Sequence, residues 1–171
     1  MIELSKCKTI LEQKNISDEY FIKLHITLEG YLKRLLFIGL RTKDVQYKTA
    51  QESITKYHEI LPNMISKIWL ILGIDYKNDL LKFGKYKILE EYVLNFTSKY
   101  RNYRVHGIYD EIKDHELLRC LILIDKAFIN EIEKYLKTKK MPSAFDEPKK
   151  WGAKVSKIKS VDDVFNNILE T

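Results

Sequence analysis

Turn-forming residues are scarce in this chain. Three prolines and six glycines among 171 residues are too few to punctuate the many short strands of a sandwich or barrel, and no run of alternating apolar and polar residues competes with helical spacing. Cysteine is scarcer still. Cys7 and Cys120 stand far apart with no metal-ligand or redox spacing between them. Cys120 falls inside an apolar helical pattern and is expected as a buried free thiol, and two free thiols favour a reducing compartment. The four histidines, His25, His58, His106 and His115, do not cluster with cysteines or carboxylates at metal spacings, so no metal site and no cofactor is expected. Long apolar runs are missing as well. The longest, near Leu35–Leu40 and Leu121–Ile124, fall far short of the ~18 residues a membrane span requires. The opening residues MIELSKCKTILEQK are charged throughout and carry no apolar signal core. A soluble, cytoplasmic protein without a membrane partner is expected. No Gly-rich phosphate loop, Ser-His-Asp arrangement or paired-carboxylate spacing is present in the order of the residues.

Apolar residues (45%) and charged residues (32%) are balanced as in a globular domain, with a formal net charge of +6. Positive charge of this size attracts polyanions. Helical periodicity dominates the pattern. Phe21, Leu24, Leu28, Tyr31, Leu35 and Ile38 step by 3 and 4 residues, and Ser17 and Asp18 are candidate N-caps, which predicts a long helix at about 18–41. Asp44 is a candidate cap for a helix through Ala50, Ile54 and Tyr57. Pro62 suits the first turn of another, with Ile65, Ile68, Trp69 and Leu72 on one side and Gly73 as its stop. After the loop GIDYKNDLLKFGK, the residues Leu89, Tyr92, Val93, Phe96, Tyr100 and Tyr103 mark a helix at about 86–106. Asp114 can cap the last long helix, striped by Leu117, Leu121, Ile124, Phe128, Ile132 and Tyr135. The prediction is all-α: an up-and-down bundle of four or five helices over residues 1–140. Residues 141–171 are expected as a basic extended arm followed by a short helix, which Ser160 and Asp163 would open as a capping box.

The most specific stretch is SKYRNYRVHG, Ser98–Gly107. It places Arg101, Asn102, Arg104 and His106 at the end of a predicted helix. On a straight helix Arg101 falls ~130° from the centre of the apolar stripe and His106 falls ~90° away on the other side. Both are therefore expected outside the core. Cations at a helix C-terminus oppose the negative end of the macrodipole, which is one sufficient reason for their presence. A second reason is chemical. Histidine can give or take a proton near neutral pH, and arginine is a fork-shaped donor for phosphate oxygens. Asn102 can orient the imidazole or donate to an oxygen. That is the equipment for RNA cleavage in which the 2′-hydroxyl is the nucleophile.

Arg101-Asn102-Tyr103-Arg104-Val105-His106 resembles the R-polar-xxx-H motif of the HEPN family, and its setting, just before a long apolar helix, is also similar. The resemblance covers about residues 17–138. It implies a HEPN-like helical fold and a homodimer in which two copies of the motif line one cleft. It also implies a metal-independent endoribonuclease that leaves a cyclic phosphate, acting in a toxin–antitoxin, abortive-infection or antiviral-defence setting. Arg101 and His106 would be the catalytic pair, supported by Asn102. The partners implied are RNA and an antitoxin or regulatory protein. HEPN toxins silenced by a nucleotidyltransferase carry a tyrosine two residues after the histidine. In this chain Tyr109 stands three residues after His106. Some members of the family are silent binding or scaffold modules, which is the alternative the resemblance leaves open.

Other residues suit RNA. Arg104 can add phosphate affinity, and Tyr109 is free to stack on a base, whereas Tyr100 and Tyr103 share the apolar stripe. Lys149, Lys150, Lys154, Lys157 and Lys159 surround Trp151, a pattern that can track a backbone and stack a base, or simply remain solvated. His25 and Glu29 are i, i+4 neighbours: a cleft-facing carboxylate could orient an imidazole, and a surface pair is the commoner reading.

Overall fold

Each apolar stripe becomes a helix. In the computed structural model the described residues are 4–56, 61–108, 110–153 and 160–169, and among them no strand occurs. The fold is an all-α helical bundle, as the sequence predicts. Tyr57, His58, Glu59, Tyr109, Lys154, Lys157 and Lys159 lie outside the described residues. The chain divides into two compact units, Met1–Tyr31 with Lys82–Tyr135 and Leu32–Leu81 with Leu136–Thr171.

In the first unit, α1 (Leu4–Glu12) precedes α2 (Asp18–Thr42). Ser17 caps α2: its Oγ accepts the Tyr20 N–H at 3.2 Å. Tyr20, Phe21 and Leu24 form a buried cluster with Ile112, Leu118, Leu121 and Ile122. The Tyr20 hydroxyl donates to the carbonyls of Ile10 (2.8 Å) and Gln13 (3.2 Å), fixing the end of α1. A single long helix follows later in three parts: α5 (Tyr86–Tyr92), a π turn at Val93–Thr97 and α6 (Ser98–Val105). Ahead of α5, Gly84 has φ 48°, and the Glu131 carboxylate occupies the space a Cβ would need while accepting the Lys85 N–H at 2.8 Å. Asp114 caps α7 (His115–Thr138), accepting the N–H groups of Glu116 and Leu117, both at 3.0 Å.

Two expectations for this unit fail for reasons of register. Cys120 is exposed, because the inner face of α7 runs through Leu118, Leu121, Ile122, Asp125, Phe128 and Ile129, one step round from the apolar run that includes Cys120. Tyr92, placed by period on the buried stripe, is also exposed. Glu90 is buried instead, with the Tyr86 hydroxyl donating to it at 2.9 Å.

In the second unit the rest of α2 is buried almost all round, from Leu32 through Leu35, Leu36, Phe37 and Ile38 to Leu40. It ends in a Schellman motif: Asp44 adopts φ 64°, and the N–H groups of Asp44 and Val45 return to the carbonyls of Arg41 (3.3 Å) and Leu40 (3.2 Å). Asp44 therefore closes α2 and does not open α3 (Tyr47–Lys56), whose first turn starts at Gln46. Helix α4 (Leu61–Ile71) holds Pro62 in its first turn, buries Ile65, Ile68 and Trp69, and stops at Gly73, φ 73°. Helix α8 (Val161–Leu169) packs against α3 and α4, with Val164 buried.

The segment after Lys140 is folded down, where an extended arm is expected. Arg34 donates from Nε to the Ala144 carbonyl (2.6 Å) and from Nη2 to the Asp146 carbonyl (2.8 Å). Ala144 is fully buried, and a 3-10 turn covers Pro148–Trp151. Apolar contact and two charge-assisted bonds hold a stretch whose prolines exclude a regular helix.

Candidate functional site

Helix α6 owes its aim to the π turn before it. The Ser98 N–H bonds back five residues to the Val93 carbonyl, and the Thr97 hydroxyl shares that acceptor at 3.3 Å. An added residue in one turn re-aims every side chain after it by up to ~100°. The straight-helix geometry that sets Arg101 opposite the stripe therefore does not hold. Arg101 turns towards α2, half-buried, and its Nη2 lies 3.4 Å from Glu29 Oε2. Its Nη1 donates to Asn102 Oδ1 at 2.9 Å. Its Nε–H is buried and has no acceptor among the described residues. The guanidinium thus keeps donor capacity beyond its two bonds.

His106 is the C-cap of α6. Gly107 supplies the left-handed residue beyond it, with φ 69°. The N–H groups of Gly107 and Ile108 return to the carbonyls of Arg104 (3.3 Å) and Tyr103 (2.8 Å), which completes a Schellman motif. This turn fixes where the imidazole leaves the helix. His106 is exposed, and its ring has no hydrogen-bond or ion-pair partner among the described residues. Asn102 is exposed as well. Arg104 is differently employed: its Nε donates at 2.6 Å to Asp18 Oδ2, and the same carboxylate accepts the Ile112 N–H at 3.4 Å. Asp18, itself buried at the start of α2, receives both donors where the helix dipole already favours an anion.

Behind Arg101 lies a buried polar cluster that the sequence does not announce. His25 is fully buried on α2 and is not a surface residue. By helical geometry it sits only ~40° from Phe21, within the apolar face. Its Nδ1 is 2.7 Å from Asp125 Oδ2, and Asp125 is equally buried. On the other side of the ring, Nε2 is 3.4 Å from Ser98 Oγ and 3.9 Å from Glu29 Oε1. Asp125, His25 and Ser98 thus stand in line. Separations of 100 and 73 residues hide that arrangement from any reading of motif spacing. The one available signal was Asp125 itself, a carboxylate at a core-facing position of an apolar helix. Further along α2, Tyr31 donates to Glu133 at 2.6 Å, and burial beside that carboxylate pushes its phenol well above its ordinary value of 10.0.

Tyr100 packs edge-on against Phe96 with ring centroids 5.2 Å apart, and Lys99 lies over the Tyr103 ring. Tyr100 packs against the buried cluster as its place on the stripe predicts, whereas Tyr103 is only part-buried beneath an exposed lysine.

The predicted tail residues belong to the second unit. Lys149 pairs with Glu147 at 2.8 Å and Lys150 with Asp146 at 2.7 Å. Their contact raises the Lys149 pKa and lowers that of Glu147. Trp151 is half-buried and donates from Nε1 to the Ser143 carbonyl at 3.1 Å. Both lysines are matched by acids, and the indole is anchored to its own loop.

Among the described residues, no group of three or more His, Cys, Asp and Glu is arranged to hold a metal ion, and no helix is long and apolar enough to cross a membrane. No family model, no curated protein and no solved structure matches this chain.

Proposed function

We propose that this chain is a HEPN-like ribonuclease that cleaves RNA without a metal, with Arg101 and His106 as its catalytic pair. The observation that carries the reading is the contrast between the two motif residues and their neighbours. Arg101 is part-exposed and has more Nη–H donors than its two bonds use, and His106 stands exposed as a helix cap. Arg104 is bound to Asp18 and supports the fold at the same helix end. In the proposed reaction the 2′-hydroxyl oxygen attacks the adjacent phosphorus and the bond to the 5′ oxygen breaks. An imidazole takes the 2′-hydroxyl proton, and a protonated imidazole gives one to the leaving oxygen. Two copies of the chain supply the two rings. Arg101 binds the phosphate oxygens and offsets the charge that builds on them. Asn102 holds the guanidinium in place. The products are a 2′,3′-cyclic phosphate and a free 5′-hydroxyl. A toxin–antitoxin or antiviral-defence setting in the cytoplasm, with RNA as substrate and an antitoxin or regulatory protein as partner, is part of the same proposal.

A silent HEPN-like binding or scaffold module is the second reading. The observation favouring it is the Arg101–Glu29 contact, which offsets the arginine's charge before any phosphate arrives. Incubation of purified wild type, Arg101→Ala and His106→Ala with a labelled RNA in chelator separates the two. The ribonuclease reading expects cutting by wild type and a loss of about 100-fold or more in each variant. Equal behaviour of all three supports the silent module.

A further inference from the structure

A buried imidazole–carboxylate pair is a poor way to stabilise a core. Both groups lose their water, and replacing such a pair with apolar residues of similar volume is often neutral or stabilising. Here the arrangement is worse than paired, because Asp125 Oδ1 is buried with no partner among the described residues. An orphaned buried acceptor is destabilising, so its presence calls for another role.

The contacts describe that role. His25 and Glu29 are one turn apart on α2, and Ser98 and Arg101 are one turn apart on α6. His25 Nε2 faces Ser98 at 3.4 Å and Glu29 at 3.9 Å, while Glu29 meets Arg101 at 3.4 Å. An open chain of contacts, Ser98–His25–Glu29–Arg101, joins the two helices, and Asp125 on α7 holds its imidazole from behind at 2.7 Å. The carboxylate on Nδ1 fixes the ring's plane and directs Nε2 at the other two helices' groups. The order Asp–His–Ser is that of a nucleophilic triad. Yet the Ser98 hydroxyl is half-buried, and the same imidazole also meets Glu29, so the contacts run on to a guanidinium and do not end at an open serine.

We propose that His25, anchored by Asp125 and held on its other side by Ser98, is a positioning residue for Arg101: through Glu29 it fixes the direction in which the guanidinium is presented to a phosphate. The proposal rests on the ribonuclease reading for its purpose. Its geometric content is independent of that reading and is tested separately.

The test uses the full chain carrying His25→Leu with Asp125→Leu, which removes the pair without leaving either polar partner buried alone. Ser98→Ala is the milder second variant should the double substitution fail to fold. The first readout is the NMR signal of the Arg101 Nε–H, identified by its absence in Arg101→Lys. In wild type it is expected to exchange slowly with water, and in both variants the slowly exchanging signal is lost. The second readout is steady-state RNA cleavage, with kcat down about 10- to 100-fold and KM little changed, as a misdirected group produces. His25→Gln, which keeps a donor and an acceptor, is expected to recover part of the rate. An unchanged Arg101 signal in the double variant or in Ser98→Ala overturns the positioning role. So does wild-type kcat in either variant. Loss of the signal in a chain whose wild type cuts no RNA upholds the positioning role and removes the ribonuclease reading alone.

Discussion

The two units of this chain are filled in opposite ways. Among the described residues, every buried polar or charged side chain lies in the first unit: Asp18, His25, Thr27, Glu90, Thr97 and Asp125. Among its described residues the second unit buries only apolar groups, with Trp69, Phe37 and a run of leucines and isoleucines from Leu32 to Leu40 at its heart. A core of the second kind is what hydrophobic burial alone produces. A core of the first kind gives up stability, since each buried polar group must recover its lost hydration. The unit that makes this sacrifice is also the one that carries Arg101, Asn102 and His106. The comparison teaches that hydrophobic burial accounts for the second interior and does not by itself account for the first.

Substitutions can break that comparison or sharpen it. The largest effect is expected in the apolar unit, where Trp69→Ala costs about 3–5 kcal/mol by loss of burial and a residual cavity, read from urea unfolding. RNA cleavage by the folded fraction should be unchanged. In the polar unit, Asp125→Ala removes one member of a buried pair and costs about 3 kcal/mol, whereas the double change to leucine restores stability to wild type or above. Melting temperatures of the two variants decide this, and an equal loss in both would make the pair structural. Tyr31→Phe is smaller, about 1 kcal/mol for one hydrogen bond to Glu133, and it carries a pH signature. The folded-state phenol is raised above its ordinary value of 10.0. Its contribution is complete below that pH and is lost as pH rises past it, so wild type should lose more stability than Tyr31→Phe on going to strong alkali. Asp114→Ala, which removes the α7 cap, should cost about 1 kcal/mol. Lys149→Ala, in an exposed pair, should leave the melting temperature where it is and cleavage intact. A marked fall in cleavage there would bring the tail into the site.

Much of this structure is legible in the residue order, and the remainder is hidden for definite reasons. Caps and stops are local, so Ser17, Asp114, Gly73 and Gly107 act where a reading of the sequence places them. Asp44 misleads because aspartate suits both an N-cap and a left-handed stop. The stripe of α2 is read correctly, yet treating His25 as surface ignores its ~40° offset from Phe21. Cys120 and Tyr92 are missed because a shift of one helical step is invisible when apolar residues flank both faces. The aim of Arg101 is not legible at all. A π turn depends on tertiary contact and leaves no period of its own in the sequence. Ser98 and Asp125 join His25 across gaps that only the fold closes. In the tail, the basic residues are apparent, but which acids they meet, Glu147 and Asp146, is decided by the turn they fold into.

The central claim is that Arg101 and His106 together cleave RNA. Its most direct test is end-group analysis of RNA treated in chelator with wild type and with His106→Ala. The account predicts 2′,3′-cyclic phosphate ends from wild type and none above background from the variant. Intact RNA in both, or the same ends at the same rate from both, would contradict it.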